Sequence, residues 1–142
     1  MTTKTIYIID SNNADLYKTG SLDLYSIVSG SKFIDLDVYY KIIISCMSKF
    51  IDFKHISDVM YSEDIIDKIL DDNVTVSMPS RDSITNLIDF IDGSNEYYIE
   101  SCLSNILPYD SEYSLVNLFN RLTNALKDST GENKQLVIVT YV

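Results

Sequence analysis

The stretch from Val74 to Gly93 confines the fold more than any other part of this 142-residue chain. Val74, Val76 and Met78 alternate with small polar residues, the period-two pattern of a short strand with one face buried. Pro79 ends the strand because it has no N–H to give to a ladder, and Ser80 is placed to cap a helix. Asp82 falls in the first turn, where the helix dipole favours a carboxylate. Ile84, Leu87, Ile88 and Ile91 then recur at i, i+3, i+4 and i+7, which puts four large apolar side chains on one helical face. Gly93 follows as a C′ stop. These signals agree, and the unit is predicted as strand–turn–helix.

The same rules predict a strand over Thr5–Ile9 and a helical turn over 14–18. Leu24–Val28 and Lys32–Tyr40, around Ser29-Gly30-Ser31, read as a β-hairpin. Helices are expected over 41–53, 56–70 and 97–107, the last ended by Pro108, and again from a Ser111 cap through Leu126. Leu136–Val142 reads as a closing strand that pairs at an edge with Thr5–Ile9. A chain of this length makes one domain, 1–142, with one core. The expected class is α/β of the α+β kind, a small sheet flanked by a helical majority.

Composition removes several functions. No apolar run approaches the length of a membrane span, and Met1-Thr2-Thr3-Lys4 does not open a signal peptide, so an intracellular protein is expected. The net charge of −10, from 21 acidic and 11 basic residues, opposes nucleic-acid binding. Carboxylates on solvent faces explain it better than a DNA mimic does. Cys46 and Cys102 lie in apolar-periodic segments and read as buried free thiols rather than a disulfide or redox pair. His55 is the one histidine, better read as a surface or cap residue than as a catalytic base. The acid pairs Asp71-Asp72 and Asp89/Asp92 supply too few donors for a calcium loop. No phosphate-cradling glycine pattern is present. No catalytic, cofactor-binding or metal-ligating residue is assigned, and an enzyme is not expected. Thr140-Tyr141-Val142 fits the carboxylate motif read by PDZ domains, but a paired terminal strand accounts for it better.

Three ordered segments resemble BTB/POZ domains, in particular those of large DNA-virus (poxvirus-like) BTB-Kelch proteins, here without Kelch repeats. Gly20 to Val28 is similar to the family's G-x-x-x-D-(V/I)-x-(L/I)-V. Leu36 to Phe50, reading L-D-V-Y-Y-K-I-I-I-S-C-M-S-K-F, is similar to F-x-V-H-K-x-(I/V)-L-x-x-x-S-x-x-F. Leu87 to Gly93, L-I-D-F-I-D-G, resembles L-I-D-Y-I-Y-G. Tyr39 stands for the usual His, Met47 for Ser and Asp92 for Tyr, while Leu24 holds the place of Asp. The resemblance implies a BTB-like core over about 20–126 with an inserted helix at 56–70. It implies a non-enzymatic protein–protein interaction module that homodimerises, recruits cullin-3 to a ubiquitin ligase, or serves a virus as adaptor or decoy in the host cytoplasm. By position, the dimer face would hold Leu22, Asp23, Leu24, Tyr39, Tyr40, Ile43 and Cys46. The partner face would hold Phe50, Phe53, His55, Met60, Tyr61, Tyr97, Tyr98 and Glu100. Partners would be proteins, the chain itself and cullin-3 included, with no nucleic acid, membrane or cofactor. The alternative is a viral Bcl-2-like helical inhibitor of host apoptosis or innate signalling, holding an amphipathic peptide in a groove.

Overall fold

The first and last strands lie side by side at the centre of the sheet. In the computed structural model, which describes residues 1–106 and 114–142, β1 (Thr3–Asp10) and β5 (Lys134–Tyr141) pair antiparallel along their whole lengths, with Ile6 opposite Ile138 and Ile8 opposite Leu136. β2 (Lys32–Asp37) adds to the free side of β1, with Phe33 opposite Tyr7. β4 (Val74–Ser77) adds to β5, and β3 (Ile65–Ile69) to β4, giving the antiparallel order β2-β1-β5-β4-β3. The predicted pairing of the terminal strands therefore holds, but at the centre and not at an edge.

That position explains their composition. Strands covered on both faces are apolar on both alternations. One face carries Ile6, Ile8, Ile34, Leu36, Leu136 and Ile138. It packs beneath α3 (Tyr40–Met47), α4 (Phe53–Met60), α5 (Arg81–Ile91), α6 (Ser94–Ser104) and α7 (Leu115–Ser129). The opposite face carries Ile9, Val74, Val76, Val137 and Val139, covered in part by α1 (Ser11–Lys18) and α2 (Leu24–Val28). The fold is α+β, with seven helices and five strands among the described residues.

The Val74–Gly93 unit forms as its sequence predicts. Ser80 Oγ accepts the Ser83 N–H at 3.1 Å, Ile84, Leu87 and Ile91 are buried, and Gly93 takes φ +85° past the end of α5. Ser114 caps α7 by accepting the Asn117 N–H at 3.0 Å. The predicted Ser111 cap and Pro108 stop lie outside the described residues.

Two expectations are corrected. Leu24–Val28 is the helix α2, not a strand, because the Asp23 carboxylate accepts the Ser26 N–H at 2.8 Å and starts a helical turn. No hairpin joins it to β2, whose partner is β1 and which ends at Asp37, in the left-handed region at φ +51°. The helix expected over 56–70 stops at Met60, and the chain re-enters the sheet as β3 at Ile65. A turn with Leu70, Asp71 and Asp72 all at positive φ returns it to β4, which places the Asp71-Asp72 pair in a β-turn. The sheet also excludes the all-helical fold that the Bcl-2-like alternative requires. Among the described residues, no helix is long and apolar enough to cross a membrane.

Candidate interaction surface

Asp52 starts α4 by accepting the Lys54 N–H at 3.0 Å, and the phase of the helix turns Ile56, Val59 and Met60 into the core. Phe53 and Tyr61 are thereby left outside, with ring centroids 6.1 Å apart. Phe50, in the turn after α3, stacks on Tyr98 of α6 at 5.7 Å, and Tyr97 meets Tyr98 edge-on. His55 stacks on Phe90 of α5 at 4.2 Å. Six aromatic side chains on this helical side are 39–69% exposed: Phe50, Phe53, Tyr61, Phe90, Tyr97 and Tyr98. Rings held against each other in water are larger apolar targets than scattered ones.

The sequence on either side of them is acidic. Asp52, Asp58, Glu63 and Asp64 flank the α4 rings, and Asp89, Asp92, Glu96 and Glu100 flank those of α5 and α6. Lys54 is the one lysine or arginine in these two segments, and Asp58 holds it at 3.0 Å, while Lys127 of α7 reaches Asp92 at 3.0 Å. A further cation lies beneath the rings. The Lys4 ammonium sits 5.3 Å from the Tyr40 ring centre and 5.0 Å from that of Tyr61, and donates to Thr140 Oγ1 at 2.9 Å. Lys4 is only 6% exposed, and burial lowers its pKa to about 8. Burial also raises the Tyr40 and Tyr61 hydroxyls above their ordinary range. The Tyr40 and Tyr61 rings thus already face a cation inside the molecule.

Other concavities have a different character. A cleft of about 680 Å³ opens where β1 ends and β5 begins, lined by Asp10, Asn13, Ser31, Lys32, Asp128 and Lys134 among others. Its two lysines are engaged, Lys32 with Asp128 at 2.7 Å and Lys134 with Asp10 at 2.9 Å. Across the sheet, Tyr7, Tyr25, Phe33 and Tyr141 line a shallow depression of about 530 Å³. Among the described residues, no three His, Cys, Asp or Glu side chains converge to hold a metal ion.

The partner residues expected from the sequence come together on the helical side, with one correction. Phe50, Phe53, His55, Tyr61, Tyr97, Tyr98 and Glu100 reach the surface to differing degrees, but Met60 is 1% exposed and belongs to the core. The expected dimer face is not one surface. Tyr40, Ile43 and Cys46 are buried under the helical layer, whereas Leu22 and Leu24 pack on the opposite side of the sheet, where Asp23 caps α2. Tyr39 is exposed on the turn between β2 and α3. Phe90 was missed because it lies off the Ile84–Leu87–Ile91 stripe, though a bulky ring outside the buried stripe is itself a signal. Lys4 gave no signal, since its burial depends on the distant Thr140.

No protein-family model matches the chain, and no match is found among curated proteins. Its fold is similar to that of YfbM from Escherichia coli, whose crystal structure is described as that of a protein of unknown function. The two superpose with a TM-score of 0.57 over 99% of each chain at 14% sequence identity. This likeness overturns the BTB/POZ resemblance. The three matched segments are short amphipathic patterns, one of them now a helix where the family pattern was read as a strand, and they are set in the architecture of a different protein.

Proposed function

We propose that the chain is a non-enzymatic protein-interaction module that docks a basic, amphipathic partner segment on the α4–α6 surface. The observation that carries this reading is the set of six exposed aromatic rings, Phe53 with Tyr61, Phe50 with Tyr98 and Tyr97, and Phe90 with His55, in segments whose sequence is rich in carboxylates. Aromatic faces reward both apolar and cationic side chains, and the acids of these segments steer a positive partner. The overall charge of −10 acts in the same direction and sets the surface against phosphate-bearing partners. The large polar cleft offers less, because its cations are already paired with its own acids.

The test is a titration with a synthetic helical peptide carrying leucines on one face and arginines on the other. Binding should weaken as salt rises. It should fall about tenfold or more in a Phe53→Ala/Tyr98→Ala double variant, whose half-exposed rings leave the core intact. A glutamate-bearing version of the peptide should not bind. Equal affinity of the variant and the parent protein, or no binding at low salt, overturns the reading.

A further inference from the structure

We propose that the slot between β2 and α7 is a binding site for a small aromatic monocarboxylate. The slot has a volume of about 170 Å³. An apolar cavity of about 150 Å³ is large enough to take up benzene, so the space suits one ring. Its floor is apolar and comes from Ile6, Ile8, Ile34 and Ala125, all buried. Ala125 opens the space, because it presents a methyl group whereas its buried neighbours Leu122 and Leu126 present isobutyl groups. The strand side shows the same gap. Ile6, Leu36, Leu136 and Ile138 are fully covered, while Ile34 keeps 6% of its surface open.

The rim decides the charge of the ligand. Lys32, Arg121 and Asn124 line it, all three exposed. Lys32 is held by Asp128 at 2.7 Å. Arg121 has no ion-pair or hydrogen-bond partner among the described residues, whereas Arg81, the other arginine, donates to the Gly131 carbonyl at 2.6 Å. A guanidinium stays charged, and its planar fork matches the two oxygens of a carboxylate. Asn124 comes three residues after Arg121 on α7, which sets its carboxamide on the same helix face. A ring on the apolar floor with its carboxylate at the rim satisfies both parts of the slot. Asp35 and Asp37 share a neighbouring depression of about 250 Å³ with Arg121, without forming an ion pair with it. They hold the affinity for an anion down, and they select against ligands with several negative charges. The site is built from other elements than the α4–α6 surface and does not depend on docking there.

The experiment titrates the isotope-labelled full chain with sodium benzoate, against matched sodium chloride, and follows the amide resonances. The expected result is a set of saturable shifts at residues 33–35 and 121–125. Benzylamine and inorganic phosphate should produce no saturable shift there. Arg121→Met should weaken benzoate binding about tenfold through loss of a charge-assisted pair, and Arg121→Lys should recover part of it. Ala125→Leu should abolish binding by filling the slot. Arg121→Met decides the matter even where Ala125→Leu fails to fold, because the arginine is exposed. The proposal is overturned by the absence of a saturable shift, by shifts confined to other parts of the chain, by equal binding of benzylamine, or by unchanged affinity in Arg121→Met.

Discussion

The two faces of the sheet are built from the same strands and held to very different degrees. Under five helices, the first face gathers 25 buried apolar residues among those described, from Ile6 and Leu36 to Phe119 and Leu126. The second gathers nine, beneath α1 and α2, and leaves Phe33 56% and Tyr25 77% exposed. Strict alternation in β1 and β5 feeds both faces equally, so the difference comes from the cover and not from the strands. Hydrophobic stabilisation follows apolar area removed from water, which places most of it on the first face. The largest test of this contrast is a pair of truncations. Phe119→Ala should cost about 4 kcal/mol and Met78→Ala, on the second face, about 2 kcal/mol. Both are read as shifts of the urea midpoint at unchanged slope. Equal losses would break the contrast.

The faces also differ in how they respond to pH. Lys4 is on the first face, buried without a carboxylate partner among the described residues, and its pKa is lowered from 10.5 to about 8. The unfolded chain therefore binds the extra proton between those values, and stability should rise with pH through that window. The rise should be about 2 kcal/mol after allowance for residual solvent screening. Lys4→Met should abolish the rise and stabilise the protein at pH 7. On the second face, burial and then the hydrogen bond donated to Asp67 at 2.7 Å raise the Tyr17 pKa. The folded chain keeps a proton that the unfolded chain loses near 10, so stability should fall as pH rises past 10. Tyr40 and Tyr61 on the first face add to that fall through their own burial. Urea titrations from pH 7 to 11 on Lys4→Met and Tyr17→Phe separate the rise from the fall. A Lys4→Met protein that keeps the full rise would remove Lys4 as its origin.

Much of the first face was legible in the sequence, because its elements announce themselves locally. The stripe Ile84–Leu87–Ile91 and the Ser80 cap need no tertiary information, and neither does the Leu115–Leu126 stripe of α7. The second face was misread where local signals conflict. Leu24-Tyr25-Ser26-Ile27-Val28 has the apolar, β-branched content of a strand, and the Asp23 cap that turns it into a helix was passed over. In 56–70 the apolar residues suit a helix if read continuously, but Ser62-Glu63-Asp64 breaks the run and Asp71-Asp72-Asn73 supplies a turn back to β4. The pairing of β1 with β5 was expected, but its central place in the order was not legible, since β2 adds to one side of it and β4 and β3 to the other from separate parts of the chain. Of the candidate surface, the aromatic residues near Phe50 and Tyr98 were found by position in a family pattern that does not apply. Their convergence follows from the packing of α3 on α6 and α4 on α5.

The smallest effect compares two helix caps, one on each face. Ser80 caps α5, an 11-residue helix with three buried side chains, and Asp23 caps α2, a five-residue helix that buries only Ile27. Both caps accept one backbone N–H, at 3.1 Å and 2.8 Å. Their removal should nevertheless be felt differently, because α5 is joined to the main core and unfolds with the whole, whereas α2 can fray alone. Ser80→Ala should lower global stability by about 1 kcal/mol in urea. Asp23→Ala should leave the urea midpoint in place and quicken amide exchange at Ser26 and Ile27. Acid should mimic that second change in the unsubstituted protein. Hydrogen bonds from the Ser26 hydroxyl and N–H hold the Asp23 carboxyl below its usual range, so the cap persists above that range and is lost as pH falls through the lowered value. If Asp23→Ala instead moves the urea midpoint as far as Ser80→Ala does, α2 is part of the global cooperative unit. The second face would then be held as firmly as the first, despite its thinner cover.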